Sequence, residues 1–554
     1  MEGEARQSTV TEGGKSCRTN RKGKNLPWEI STPRGAEKSA AGVVSVEAEK
    51  AQIFKARSSC PATERVMPKT GKCGEFPRDP ILWEEGDFSS PAVRGEDVYL
   101  KAGGRVRHQW LTTCEEERAL TADLTEKIAD LSNLATALRQ VVKNGGSAGI
   151  DGMTVTELKE WFNHNWHELQ TSLLKGTYTP SGVRGVRIRK PKGGYRQLGI
   201  PTVKDRLVQQ AINQVLSRRY EPIFSENSYG FRPSRNAHQA LIRASGHVAE
   251  GYTHVVDLDL EKFFDKVNHD RLIWLLGTRI GDRGLLGLVG RFLRSGIMQG
   301  GLMSQRFQGT PQGSPLSPLL SNIVLDELDK ELEVRGHRFV RYADDAIILV
   351  RSREAASRVL RSITDFIENR MLLKVNREKS RIRHPYELNF LGYTIQYGGK
   401  LGISRECIER FKAKLRRITS RNRGISLEQL IHGLNPVLRG WLNYFRLARM
   451  KNKLERLTLW LRRRIRCFRI KQCKRASGII RFLSSRGVPL WRAFLVALSG
   501  KGWYRLACSP PAHEAMNLSW FGEIGLFCLY TNYCLIFKET AQYVQRTLGG
   551  VRGR

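Results

Sequence analysis

Apolar residues recur along this chain with two alternating periods. Leu120, Leu124, Ile128, Leu131, Leu134, Leu138 and Val142 fall on one face of a helix that Asn144-Gly145-Gly146 ends. After the turn-rich link Ala148 to Thr154, Val183, Val186 and Ile188 read as a strand. Pro191-Lys192-Gly193-Gly194 turns the chain, and Tyr195 to Leu198 returns as a basic hairpin. Lys204 to Tyr220 follows as a helix with Leu207, Ala211 and Val215 on one side. His254 to Asp259 reads as a strand, with Asp257 and Asp259 on one face and Val256, Leu258 and Leu260 on the other. The run EKFFDKVNHDRLIWLL after it reads as a helix, and another passes through Leu319, Ile323 and Leu328. Phe339-Val340 and Ala346 to Val350 are short apolar runs on either side of Tyr342-Ala343-Asp344-Asp345, giving strand, tight turn, strand. A helix from Ala355 to Leu372, a strand-like Leu373 to Ile382 and a short strand Phe390 to Ile395 complete this part. The order predicts an α+β sheet with helices on one side. Helices are then predicted over Phe411 to Ser420, Leu427 to Phe445 and Leu454 to Lys471. Residues 1–115 lack such periodicity and read as a poorly ordered arm.

Chemistry enters through the acids. Two carboxylates at a bend between apolar strands are costly unless something positive sits with them, and a divalent metal is a common answer. Asp257 and Asp259 raise the same question, although Asp257 also suits a solvent-facing edge strand. Gln312, in Gly309-Thr310-Pro311-Gln312-Gly313-Ser314-Pro315, precedes a helix N-terminus where a phosphate or base edge could be met. Ordinary capping would also explain that Ser and Pro.

Charge enlarges the picture. A net charge of +38 on 554 residues calls for a polyanionic partner, and the length suits three or four domains. Residues 401–510 hold 27 Lys/Arg against 4 Asp/Glu, with Trp441, Tyr444, Phe445 and Trp460 interleaved, which suits nucleic acid better than a merely solvated face. The ten cysteines form no CxxC pair and read as reduced thiols. The N-terminus lacks the basic start and apolar run of a signal peptide. Ile524 to Phe537 is about half a membrane span and is broken by Thr531-Asn532, so it reads as packed structure and no membrane is expected.

Five blocks, in order, resemble those of a reverse transcriptase. They are Gly230-Phe231-Arg232-Pro233, Asp259 to Asp265, Pro311 to Pro318, Tyr342-Ala343-Asp344-Asp345 and Phe390-Leu391-Gly392-Tyr393. The Ala of the fourth block and Ala148-Gly149-Ile150-Asp151-Gly152 upstream are similar to the group II intron-encoded proteins. Leu427 to Phe445 and Trp460 to Arg475 resemble the helices of their maturase region, domain X. The likeness covers about 120 to 510. It implies a right-hand polymerase, with fingers and palm over 116–400. An α-helical thumb and maturase domain over 401–480 and a small basic DNA- or RNA-binding region over 481–554 would follow.

The same resemblance implies roles. Asp259, Asp344 and Asp345 would be catalytic and, with the carbonyl of Leu260, would hold two Mg²⁺ ions. Phe264, five residues after Asp259, would exclude a ribose 2′-OH. Lys190 and Arg196 would meet the incoming deoxynucleoside triphosphate, Gln312 the templating pair, and Lys379 a phosphate or a proton. Arg416, Arg417, Arg439, Arg462, Arg463, Arg464, Lys471, Lys474 and Arg475 would bind RNA. The implied activity is RNA-directed DNA polymerisation, combined with binding the group II intron's own RNA to assist splicing and copying it during intron mobility. Partners would be that RNA, a DNA target and a primer strand, and a homodimer is among the assemblies it allows. The setting would be a bacterial cytoplasm, as a nucleoid-associated ribonucleoprotein, or an organelle. After Ser509 only His513, Cys528 and Cys534 stand where many relatives carry a His-, Asn- and Cys-bearing endonuclease, so that domain is not expected and a primer would come from elsewhere. The rivals are a CRISPR-associated or retron-like reverse transcriptase, and an RNA-binding splicing factor without polymerase activity.

Overall fold

The computed structural model describes residues 123–189, 193–299, 302–304, 308–310 and 313–536. Leu120, Lys190, Gln312, the arm over 1–115 and the basic tail from Arg546 to Arg554 lie outside them. The chain opens with α1 (Leu124–Ala129), α2 (Leu131–Asn144) and α3 (Val155–Leu174). The single helix expected from the apolar spacing is therefore two. Asp130 breaks it by turning extended and accepting from the amides of Ser132 and Asn133 at 3.0 and 3.3 Å. Leu131 and Val142, assigned to the inner face, are 40% and 43% exposed.

The hairpin forms as expected, from β1 (Val183–Arg189) and β2 (Tyr195–Ile200), and α4 (Val203–Tyr220) leads on to α5 (Ala237–Ala249). After β3 (His254–Leu258) the expected long helix is broken into α6 (Phe263–Lys266) and α7 (His269–Gly277). Lys262 enters the left-handed region at φ 50°, and Asn268 caps the second piece by accepting from Arg271 N at 2.9 Å. Next come α8 (Arg283–Arg294), β4 (Ile297–Gln299), β5 (Leu302–Ser304) and α9 (Ser317–Val334). β6 (Arg338–Tyr342) and β7 (Asp345–Val350) make the expected hairpin, and α10 (Arg353–Asp365) follows. Only β8 (Arg381–Arg383) of the stretch expected as strand from Leu373 is one, because residues 374–380 are drawn off to hold the loop after β3.

The main sheet has the order β6-β7-β3-β8, all antiparallel, so β3 is interior and the edge-strand reading of Asp257 falls. Helices do not lie on one side only, as the element order suggested. Val256, Leu258, Phe339 and Ile348 face a core shared with α4, α9 and α10, while Val255, Val340, Ile347 and Leu349 face a second core. Ala346 to Val350 are buried throughout, as a strand covered on both faces must be.

That second core continues into everything downstream. β9 (Tyr393–Ile395) and β10 (Leu401–Ile403) form a small ribbon before α11 (Arg405–Ile418), α12 (Leu427–Tyr444) and α13 (Lys451–Gln472). Five short helices close the described chain: α14 (Ala476–Ser484), α15 (Leu490–Ala497), α16 (Trp503–Leu506), α17 (Pro510–Ala515) and α18 (Leu518–Glu523), with a further helical run over 529–536. Leu529 and Tyr533 are buried there, as packed structure requires, and among the described residues no helix is long and apolar enough to cross a membrane. Phe390-Leu391-Gly392-Tyr393 is a tight turn with Leu391 and Gly392 at φ 53° and 83°, not the start of a strand. It joins the two halves. The Tyr393 hydroxyl donates to the Tyr444 carbonyl, and the Tyr444 hydroxyl donates back to the Leu391 carbonyl at 2.9 Å. A Cβ on Gly392 would come within 2.9 Å of Cys407 Sγ.

Candidate active site

The β6–β7 turn carries its two acids on two unlike residues. Tyr342 pairs with Asp345, leaving Ala343 and Asp344 as the turn itself, with Ala343 at φ 57°. A left-handed residue in that place suits a hairpin's twist, and a small side chain keeps the strain low. The turn is pressed from behind by Gly230, where a Cβ would run into the Ala343 backbone. Only a glycine lets the loop approach so closely.

A buried polar brace sets this arrangement. Arg341, 1% exposed, grips Asp329 with Nε–Oδ1 at 2.7 Å and Nη2–Oδ2 at 2.5 Å. Its Nη1 donates to the Ala343 carbonyl and to Asn322 Oδ1, both at 3.0 Å, and Asn322 Nδ2 donates to the Gly230 carbonyl at 2.9 Å. Arg232 of the same loop is spent on structure: its guanidinium bonds Glu221 and the carbonyls of Ser225 and Ser228. Nothing in the sequence pattern drew attention to Arg341, Asn322 and Asp329 as a group. The signal was there, since Asn322, Asp326 and Asp329 repeat at i, i+4 and i+7 on one face of α9, between Leu319 and Leu325.

Asp259 sits where β3 leaves the sheet, beside Asp345 across the β3–β7 pairing. Its amide donates to Ser380 Oγ at 3.0 Å and its carbonyl accepts from Asn376 N at 2.8 Å, so the 374–380 loop fixes its backbone. Lys379 Nζ meets Asp259 Oδ2 at 2.8 Å. Asp257 turns instead to Arg383, at 3.2 Å. Leu260 lies in the same turn with its side chain buried.

The acids feel one another. Burial pushes the Asp344 carboxyl upward, Asp259 adds to the push, and the charges of Arg196 and Lys379 oppose it. Asp345 is pushed up to about 7, first by burial, then by Asp344, Asp259 and Asp257. Asp345 is nonetheless exposed to water, so solvent damps that push. Groups that favour a proton for this reason also favour a cation, so carboxyl chemistry here fits a divalent ion. Among the described residues no three His, Cys, Asp or Glu side chains stand gathered as a ready-made metal cage.

Phe264 is half-buried, edge-on to Phe263 at 5.3 Å, and its carbonyl accepts from Thr310 N at 2.7 Å. Gly309 thus packs on the Phe264–Asp265 backbone, and Gly313 packs on the Gly199 carbonyl of β2. The flanks of Pro311-Gln312 are thereby tied to the Phe264 turn on one side and to the Arg196-bearing hairpin on the other.

The nine cations assigned to RNA divide. Arg416, Arg417, Arg439, Lys474 and Arg475 are exposed. Arg462, Arg463, Arg464 and Lys471 are half-buried and engaged. Arg464 Nε donates to Thr419 Oγ1 at 2.6 Å and its Nη2 to the Arg416 carbonyl at 3.1 Å, closing the C-terminal end of α11. Arg463 bonds the Tyr504 hydroxyl at 3.1 Å, Arg462 reaches Cys528 Sγ at 3.5 Å, and Lys471 bonds Asn422.

Comparison with known proteins matches residues 188–395 to the family model "Reverse transcriptase (RNA-dependent DNA polymerase)" and residues 408–486 to "Group II intron, maturase-specific domain". Protein YkfC of Escherichia coli K12 is 30% identical over 47% of this chain and 80% of its own length. Group II intron-encoded protein LtrA of Lactococcus lactis subsp. cremoris is 32% identical over 41% of this chain. The putative COX1/OXI3 intron 2 protein of Saccharomyces cerevisiae is 27% identical over 50% of it. The chain spans 48% of LtrA and 38% of the yeast protein. A chain of a solved "Partial Cas6-RT-Cas1--Cas2 complex" is 26% identical over 44% of this chain and 42% of that one, with a TM-score of 0.30. With a polymerase module running directly into a maturase-specific one, on the sequence matched across most of YkfC, this chain belongs to the group II intron-encoded family of reverse transcriptases.

Proposed function

We propose that this chain is an RNA-directed DNA polymerase that also acts as a maturase, binding a group II intron RNA to assist its splicing and copying it into DNA. The observation that carries the reading is the proximity of Asp259, Asp344 and Asp345, close enough to shift one another's proton affinity, at one end of a sheet whose second core runs on through α5 into the maturase-module helices. In this reading 116–400 forms fingers and palm, 401–480 thumb and domain X, and 481–554 a further basic nucleic-acid-binding region. The setting is a bacterial cytoplasm or an organelle.

Two Mg²⁺ ions held by Asp259, Asp344, Asp345 and the Leu260 carbonyl would supply the positive charge that makes the primer 3′-OH a nucleophile and offsets the pyrophosphate leaving group. The chain's own residues orient the reactants. Arg196 faces Asp344 closely enough to lower its proton affinity, and so stands where a triphosphate would lie. Lys379, held on Asp259, neutralises that carboxylate and is released to phosphate when substrate arrives. Phe264, fixed by Phe263 and the Thr310 amide, presents its ring as the barrier to a 2′-OH.

Primer extension on an RNA template tests the polymerase. Asp344→Ala is expected to lower the rate by at least about 1,000-fold while RNA binding persists. Unchanged extension would refute the assignment. Splicing of the flanking intron RNA at low Mg²⁺, with and without protein, tests the maturase, and no effect of protein would overturn that half.

A further inference from the structure

Phe264 is borne by α6, a single helical turn, which is too short to hold its own shape. The turn is entered through a left-handed residue, Lys262 at φ 50°. Phe263 anchors one side of it in the core, and the Phe264 ring stands edge-on to that anchor. The other side leans on the segment 308–310. Thr310 N donates to the Phe264 carbonyl at 2.7 Å, Gly309 N donates to the Val267 carbonyl at 2.8 Å, and Gln308 bridges Asn268. The backbone that bears the ring is therefore placed by where Gly309 and Thr310 lie.

His269 sets that place. It opens α7, is 5% exposed, and its Nε2 lies 2.7 Å from the Gly309 carbonyl. A carbonyl only accepts, so Nε2 carries the hydrogen and donates. Gly309 is thus held by both of its backbone groups, the amide on Val267 and the carbonyl on His269. At φ 86° and without a side chain it lies very close, since a Cβ there would come within 2.7 Å of the Phe264 carbonyl and 2.8 Å of Asp265 Cα. A line of contacts runs from the imidazole through Gly309 to the backbone of Phe264. A buried imidazole is costly unless its polar atoms are bonded, and the bond made here is the one that locates Gly309.

We propose that His269 is a positioning residue for sugar selection, holding 308–310 against the α6 turn and so setting how far the Phe264 ring projects. This rests on the reading of the chain as a polymerase with Phe264 as the barrier to a 2′-OH. Exclusion by a clash is steep in distance, so the ring must be held to within about 0.5 Å. Without the donor, the Gly309 carbonyl loses its partner, the segment drifts, and ribonucleotides gain on deoxynucleotides. A merely structural role would slow both alike.

Single-nucleotide primer extension by the full-length protein on an RNA template tests this, with kcat/KM measured for a deoxynucleotide and for the matching ribonucleotide. The wild type is expected to prefer the deoxynucleotide, and Phe264→Ala to lower that preference by at least about 100-fold. His269→Leu fills the space without a donor and should lower it by at least about tenfold, with primer–template binding within about twofold of the wild type. His269→Gln keeps a donor and should stay within about threefold of the wild-type preference. Gly309→Ala crowds the same seam from the other side and should also lower the preference. An unchanged preference in His269→Leu, or in Gly309→Ala where the Leu variant does not fold, overturns the proposal. So does a Gln variant that matches the Leu variant. Phe264→Ala with its preference unchanged overturns it while leaving the polymerase reading intact. A wild type that adds no deoxynucleotide defeats that reading, and the proposal with it.

Discussion

Arg341 is fully buried, and its charge is spent on Asp329 while one of its nitrogens carries the carbonyl of the turn's Ala343. Removing one partner leaves the other charge stranded, at a cost of about 3–5 kcal/mol. Arg341→Met and Asp329→Leu are each expected to lower stability by that amount in denaturant titrations. The double variant should recover most of the stability yet remain slow in primer extension, because nothing then holds the Ala343 carbonyl. Asp326, one turn before Asp329 on α9, is pushed from 3.8 to about 6 by burial and by Asp329. A carboxyl whose proton affinity rises on folding binds more protons in the folded state between these values. Stability therefore falls as pH climbs from about 4 to 6 and stays reduced above. Asp326→Asn should raise stability by about 1–3 kcal/mol at pH 7.5 and by much less at pH 4.5, read from unfolding curves at both. Sequence made the acids at the turn and at the end of β3 legible because a carboxylate beside Val and Ile is conspicuous. It hid their support, because attention to Leu319, Ile323 and Leu328 on α9 overlooks the polar stripe set among them.

At the level of elements, local signals were sound and their contest was misjudged. Asp130 with Ser132 is a helix-start signal inside an unbroken apolar period, and the cap won. Ala346 to Val350 is apolar at every position, which already describes a strand covered twice, but the order of elements suggested a one-sided sheet. Gly230 is where one element must come closest to another at the site, its backbone pressed on that of Ala343. Gly230→Ala should displace the β6–β7 turn and slow primer extension by about 100-fold or more, while intron RNA binding by filter assay stays within about twofold. Among the helices after residue 400, exposed cations should separate from those hydrogen-bonded within the fold, with Arg416 and Arg439 also lying over Trp460 and Phe527 at 5.7 and 5.4 Å. Neutralising Arg416, Arg417, Arg439, Lys474 and Arg475 together should flatten the salt dependence of RNA binding, by about 0.7 in slope for each phosphate left without its cation. Arg464→Ala should instead lower the melting temperature, since its bonds to Thr419 and Arg416 close α11.

Over the whole molecule, one core runs from the main sheet through Tyr393 and Phe445 to Trp520 and Tyr533. The polymerase and maturase modules are distinct stretches of sequence but share an interior. A fragment ending near residue 400 would bare the 390–395 turn, where Tyr393 packs on Phe445 with ring centroids 5.2 Å apart and Gly392 lies against Cys407. It is expected to aggregate on expression, and co-expression with 401–554 should return it to solution. Apolar periodicity could not foretell this, because it shows that a residue is inside without saying which other segment it is inside with.

The common interior also ties heat resistance to cargo. A ligand that binds only the folded chain deepens its well by an amount set by concentration over dissociation constant, about 2.7 kcal/mol at a hundredfold excess. If the sheet bearing Asp259 and Asp344 melts with the helices beyond it, as the shared core implies, then intron RNA bound by those helices in the proposed function would also hold the polymerase folded. Loosening the Tyr393–Tyr444 seam would weaken the apparent grip on RNA once it leaves an appreciable fraction of the chains unfolded. In the proposed function, a newly made chain that meets its transcript would gain both capacities together, and one that does not would be the less resistant to heat.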